Sequence, residues 1–229
     1  MRVAEPGPTT TDPARSRPLD RRARRRQETI DEILRIAVDV MNEDGVNALS
    51  IAEIARRLGV QPPSIYKYFD SLLSIYDTLF QRGQSEHLEL MRGTMANAQP
   101  GLPALVAGLE ASGRWCLANR SLAQLMFWLP VPTFEPSPEA FAPSIEMVNL
   151  QKAAIADAIT AGQLGPADVD QVVHLISVFI VGILSQAIAN EPDLEWGHGR
   201  FTPLFPQLMA LLPALCPPAT LRHKRPHRR

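Results

Sequence analysis

The sequence predicts an all-α fold in two parts, a three-helix unit near the N-terminus and a larger helical half behind it. Three observations predict it. Apolar residues recur at helical spacing along most of the 229 residues, with no strand-period run of any length. Glycines and prolines at 45, 59, 100–101, 130–143 and 162 divide those runs. Residues 50–69 hold two short helical patterns around a glycine.

Residues 1–23 carry several prolines and arginines and few large apolar side chains, which predicts a disordered basic arm. Its charge culminates in Arg21-Arg22-Ala23-Arg24-Arg25-Arg26. Ile30, Ile33, Leu34, Ala37, Val38 and Met41 then form the apolar stripe of a first helix, ended at Gly45. Ser50 and Glu53 make an S-x-x-E capping box, each side chain expected to satisfy a backbone N–H, so a second helix begins at Ile51. Ile51, Ile54, Ala55 and Leu58 give it one apolar face, and Gly59 stands where the chain needs a positive φ to leave. Pro62 or Pro63 suits the first turn of the next helix, where no N–H is required. Ile65 and Phe69 anchor that helix inward, leaving Gln61, Pro62, Ser64, Tyr66, Lys67 and Tyr68 to project. This is a helix-turn-helix, and the projecting groups offer base-edge and phosphate chemistry.

The run from Arg24 to about Phe80 resembles the N-terminal domain of TetR-family transcriptional regulators. The resemblance rests on the long first helix, Gly45 before Ala48-Leu49-Ser50-Ile51, Ile54-Ala55, Leu58-Gly59-Val60, and Ile65-Tyr66-Lys67-Tyr68-Phe69 leading into an apolar helix. It implies a helix-turn-helix DNA-binding domain over 24–72 and a helical ligand-binding and dimerisation domain over 73–215. It also implies a homodimer on a double-stranded palindromic DNA operator, a repressor more than an activator, controlled by a small, largely apolar effector. Gln61, Pro62, Pro63 and Lys67 are then expected at base edges, and Ser50, Ser64, Tyr66 and Tyr68 at phosphates. Where the family commonly has a lysine near the start of the fourth helix, this sequence has Leu72. Arg24, Arg25 and Arg26 are expected to supply the missing cationic contact.

Behind that unit, Leu72, Tyr76, Leu79, Phe80, Leu88 and Met91 outline a helix to about residue 97, broken by Pro100-Gly101. Helices are predicted over 102–119 and 121–128. Five prolines punctuate 130–143, which reads as a loop. Ser144 is expected to cap a helix running to 161, Pro166 to start one over 167–190, and a last helix to cover 203–212. Residues 216–229 form a basic tail. The helices 144–161 and 167–190 carry more apolar surface than one subunit covers, so they are expected to pair with a second copy as a four-helix bundle. Gly182, Ser185 and Ala189 permit close approach there. Trp115, Met126, Phe127, Trp128, Phe141, Met147 and Phe179 are the expected lining of an apolar effector cavity, with His174 placed to orient a polar group.

Charge is segregated. The formal net charge is −1, yet residues 1–27 and 222–229 each carry +5, leaving −11 between them. A nucleic-acid partner is therefore compatible with the near-neutral total. Enzyme signatures are missing: no H-E-x-x-H, G-x-S-x-G or phosphate-binding glycine loop occurs, and no metal or other cofactor is expected. The apolar stretch Val172–Ala189 has the length of a membrane span, but acidic residues flank it and His174, Ser177, Ser185 and Gln186 interrupt it. It reads as a helix buried in protein, without a membrane partner. Two cysteines, Cys116 and Cys216, without C-x-x-C spacing fit a reducing cytoplasm. The rival reading is a helical ligand-binding or scaffolding protein whose first bundle packs a protein partner.

Overall fold

The computed structural model describes residues 18–217. Within them the chain forms α1 (Pro18–Asp44), α2 (Ile51–Leu58), α3 (Leu72–Ala96), α4 (Leu102–Ala118), α5 (Arg120–Trp128), α6 (Pro138–Thr160), α7 (Val169–Asn190) and α8 (Phe205–Leu215). Three 3-10 segments, Val46–Ala48, Pro62–Lys67 and Thr202–Leu204, join some of them, and no strand occurs among the described residues.

The first helix starts earlier than the sequence predicts. Pro18 opens α1, so residues 18–23 of the expected arm, and all of Arg21–Arg26, are helical. Proline at a helix start forfeits no needed hydrogen bond, and arginine and alanine are strong helix formers. Residues 1–17 of that arm lie outside the described residues. The Ser50 cap is half a box: its Oγ accepts the Glu53 N–H at 3.2 Å, while the Glu53 carboxylate turns away to Arg56 and Arg57. A reciprocal box stands instead at the start of α3, between Ser71 and Ser74. Gly59 ends α2 at φ 72°, in the left-handed region its position requires. The third helix of the unit is a single 3-10 stretch, Pro62–Lys67, in which Ser64 N–H reaches the Gln61 carbonyl and Tyr68 N–H the Ile65 carbonyl.

Three further boundaries move. The proline-rich loop is shorter than 130–143, because Ser137 caps α6 and Pro138 takes its first position. Ser144, expected as the cap, is therefore a full turn and more inside the helix. Pro143 lies within α6 and removes one main-chain hydrogen bond, but dense packing of α6 on α3 carries the helix through it. Asp168, accepting from the N–H groups of Asp170 and Gln171, starts α7 in place of Pro166. Of the expected tail, Cys216 and Pro217 are still placed, with the Cys216 carbonyl accepting the Gly165 N–H at 2.7 Å. Residues 218–229 lie outside the described residues.

One continuous core runs from Ile33 on α1 to Leu212 on α8. Its spine is α3, which packs against both α4 and α6. The N-terminal end of α3 closes the helix-turn-helix unit through Ile75, Tyr76 and Leu79, and its later turns, at Leu88 and Met91, belong to the larger half. Tyr76 ties the two together by donating to the Val46 carbonyl at 2.6 Å. Although α7 is apolar throughout, it is not buried on all sides as the sequence reading held. Val172, Val173, Ile176, Ile183, Leu184 and Ala187 face the core, while Val178 is 69% exposed.

Candidate nucleic-acid face and effector cavity

The first candidate site is the outer side of the helix-turn-helix. Ile54, Ala55, Ile65 and Phe69 are buried, which fixes the Pro62–Lys67 segment against α1 and α2. Fixing those anchors turns Gln61, Pro63, Tyr66 and Lys67 outward, with Tyr66 53% exposed, while Ser50, Pro62, Ser64 and Tyr68 are half-buried beside them. Arg24, Arg25 and Arg26 are exposed on the first part of α1. Arg26 is bound to the same segment: its Nη1 donates to the Lys67 carbonyl at 2.9 Å, and its guanidinium lies 5.1 Å from the Tyr68 ring centroid. The basic start of α1 and the projecting segment therefore form one surface, with Arg26 holding the C-terminal end of the segment in place.

Charges behind this surface are paired and hold its frame. Arg57 bridges Glu43 at 2.8 Å and Glu53 at 2.7 Å, tying the end of α1 to α2. The Arg56 and Arg57 hydrogen bonds hold the Glu53 carboxyl down at about 2, and the same pairing raises the Arg57 guanidinium. Arg82 on α3 reaches Asp31 on α1 at 2.7 Å. Leu72, in the place of the family's lysine, packs against the core.

The second candidate site is a cavity of about 240 Å³ enclosed by α3, α4, α5, α6 and α7. Met91, Leu109, Met126, Phe127, Met147 and Ile180 make much of its wall apolar. Six polar side chains interrupt that wall: Gln84 and His87 on α3, Ser112 on α4, Ser144 and Gln151 on α6, and Ser177 on α7. His87, 2% exposed, stacks on Trp115 with ring centroids 5.0 Å apart and meets the edge of Phe127. Its Nε2 is 2.7 Å from Ser112 Oγ, and burial pushes the imidazole down to about 4, so it is neutral at pH 7. Gln84 Oε1, His87 Nδ1, Ser144 Oγ and Gln151 Oε1 are buried with no hydrogen-bond partner among the described residues. Native interiors rarely leave such atoms unmatched, and four around one cavity mark a place for a ligand's polar atoms.

The expected cavity residues divide. Met126, Phe127, Phe141 and Met147 line the cavity. Trp115 stands behind His87, and Trp128 points elsewhere, donating from Nε1 to Ser185 Oγ at 3.0 Å. Phe179 is half-buried outside the lining, and His174 is exposed on the outer side of α7, so it orients nothing in the cavity. A helical face repeats every three or four residues, and position 174 falls on the solvent side of α7 where 173, 176, 180 and 184 fall on the inner side. Gln84, His87, Ser144 and Gln151 were not anticipated. Their signal was legible, because Phe80, Gln84, His87 and Met91 share one stripe of α3, and Ser144, Met147 and Gln151 share one of α6. A polar residue on an otherwise apolar stripe must find a partner inside.

The two sites share α3. Tyr76 touches the Val46–Ala48 segment, and eight residues later Gln84 faces the cavity, about 12 Å along the axis at 1.5 Å per residue. Asp77, one residue on from Tyr76, receives both the N–H and the hydroxyl of Ser137, at 2.7 and 2.8 Å, and so fixes the start of α6. Phe80 stacks on Phe141 with centroids 6.3 Å apart. Direct contacts along α3 and α6 thus join the cavity to the Val46–Ala48 segment.

Residues 33–72 match the family described as bacterial regulatory proteins, tetR family. The chain is 27% identical over 186 residues to the tetracycline repressor protein class A from transposon 1721 of Escherichia coli, covering 80% of this chain and 78% of that protein. Its fold is shared with a protein of unknown function from Rhodococcus sp. RHA1, at a TM-score of 0.69 and 20% identity over 82% of this chain and 94% of that one. It is shared also with the transcriptional regulator FadR from Bacillus subtilis in complex with stearoyl-CoA, at 0.63 and 19% over 80% and 96%.

Proposed function

We propose that the chain is a transcriptional regulator of the TetR family, a cytoplasmic repressor bound to a palindromic operator as a homodimer and released by a small, largely apolar effector. The observation that carries the DNA reading is the exposed group Gln61, Pro63, Tyr66 and Lys67 on a segment whose own anchors, Ile65 and Phe69, are buried. A surface of this kind, adjoining the arginines of α1, suits entry into a major groove with phosphate contacts on its flanks. Gln61, Pro62, Pro63 and Lys67 are assigned to base edges. Ser50, Ser64, Tyr66, Tyr68, Arg24 and Arg25 are assigned to phosphates, and Arg26 positions the segment.

Two copies are paired in this reading through the outer face of α7 with α6 and α8. The support is unpartnered apolar surface: Val178 on α7, Ile145 on α6, and Leu211 and Leu215 on α8 are all exposed. Gly182 lies one turn from Val178, and a Cβ added there would meet nothing within 4 Å, so a second helix can approach closely. Burying this face in a twofold interface also accounts for a helix as apolar as α7 with a third of its most apolar stretch buried in the subunit.

Release follows from the shared α3. An effector that fits the cavity better in a DNA-incompetent arrangement shifts the population toward it, by a coupling of about 1–3 kcal/mol in typical cases. The test is selection of bound fragments from the source genome with the purified protein, followed by affinity measurements over a range of salt concentrations. The proposal expects selected fragments and a steep fall of affinity with salt, because phosphate contacts release counterions. Retention of a protein partner with little salt dependence, and of no DNA, would overturn it.

A further inference from the structure

We propose that the effector is uncharged and carries a single compact head that both donates and accepts hydrogen bonds, a hydroxyl or carboxamide, on a small apolar body. The inference rests on the cavity being the effector site, as proposed above.

Charge is the first support. Among the described residues no Asp, Glu, Lys or Arg lines the cavity, and His87 is neutral there at pH 7. A carboxylate, phosphate or ammonium would enter without a counter-charge, and its lost hydration would not be offset. Hydrogen-bond valence is the second. Gln84 Oε1 and Gln151 Oε1 accept only, so the head must donate. His87 Nδ1 takes whichever role the tautomer at Nε2 leaves it, and Ser144 Oγ takes either, so a head that also accepts completes the set. An ether or hydrocarbon would leave both glutamine oxygens unmatched. Size is the third. At about 240 Å³ the cavity is below the ~300–1,000 Å³ common for ligand clefts, which suits a short apolar body.

The test uses the purified protein and three probes that differ only in the head: 1-octanol, octanoate and octylammonium, each titrated by calorimetry at pH 7.5. Octanol is expected to bind about tenfold or more tightly than either ion. In Gln84→Leu/Gln151→Leu, octanol loses that advantage, and the ligand-free protein melts at a higher temperature because two unmatched oxygens are gone. Ser144→Ala, a smaller change, is expected to weaken octanol binding in the same direction. Binding of octanoate or octylammonium as tight as that of octanol, or no binding of any probe, overturns the proposal, and the wild-type comparison decides even where a variant does not fold. Addition of the same probes to the complex with a selected DNA fragment separates this proposal from the regulatory reading. Octanol that binds without releasing DNA contradicts the regulatory reading alone. Release by an ionic probe contradicts the effector class alone.

Discussion

At the scale of single residues, the exposed groups of the Pro62–Lys67 segment and the buried groups of the cavity make separate predictions. Lys67→Ala is expected to weaken operator binding by about 1–3 kcal/mol and to relax the preference for base sequence at the position it meets, as competition between operator variants would register. Tyr66→Ala is expected to weaken binding with the dimer intact, as sedimentation alongside a fluorescence-anisotropy titration would register. Unchanged affinity in both variants would remove the segment from the DNA face. His87 makes a pH prediction. Its folded-state value, about 4, lies below the ordinary 6.5, so the unfolded chain takes up the proton first as pH falls. The stability it contributes is whole above pH 6.5 and is lost between 6.5 and 4, amounting to about 3 kcal/mol at the acid end. Denaturant melts across that window should show the loss in the wild type and a flatter profile in His87→Gln. The exposed residues of the segment were readable from sequence because Ile65 and Phe69, four apart, mark its buried side. The cavity's polar groups were hidden by attention to aromatics: Trp115 and Trp128 drew the eye by size, but a large ring is more often wall or support than contact, and the unmatched atoms belong to Gln84, His87, Ser144 and Gln151.

At the scale of elements, α3 is the part on which both sites depend. Tyr76→Phe removes the hydroxyl that serves the Val46 carbonyl and leaves a buried acceptor unmatched, so stability should fall by about 1–3 kcal/mol in urea unfolding. The same variant should reduce the effect of a bound ligand on DNA affinity more than it reduces ligand affinity itself. An unaltered ligand effect would mean that the cavity and the helix-turn-helix communicate by another route. Most element boundaries were legible in apolar periodicity, since α2, α4 and α5 begin and end within a residue of where stripes and caps put them. The errors came from proline. Pro138 and Pro143 read as loop residues, yet one occupies a helix start that wants no N–H and the other is overridden by packing on α3. Pro62 and Pro63 occupy the first turn as expected, yet the segment they open is 3-10 and not the expected α-helix. Tertiary burial decides which of these a proline does, and periodicity within one segment carries no information about it.

At the scale of the whole molecule, the subunit has a single continuous core but leaves apolar surface on α6, α7 and α8 without cover. Val178→Asp would place a charge in the middle of the proposed interface and is expected to convert dimer to monomer in analytical ultracentrifugation, with loss of tight binding to two-part sites. A variant that stays dimeric would move the interface elsewhere. Sequence indicated that α7 was too apolar for one subunit, and it could not say which of its faces was left over, because a helix apolar all round has no internal marker of its buried side. That information resides in its neighbours. The account as a whole rests on the claim that the paired Pro62–Lys67 segments read operator DNA. Selection of genomic fragments by the purified protein, with affinity measured against salt, tests it most directly. The expected result is fragments that share an inverted repeat whose half-sites lie one helical turn (about 34–36 Å) or a multiple apart, bound with a steep negative salt slope. Fragments no different from random DNA, or binding indifferent to salt, would contradict it.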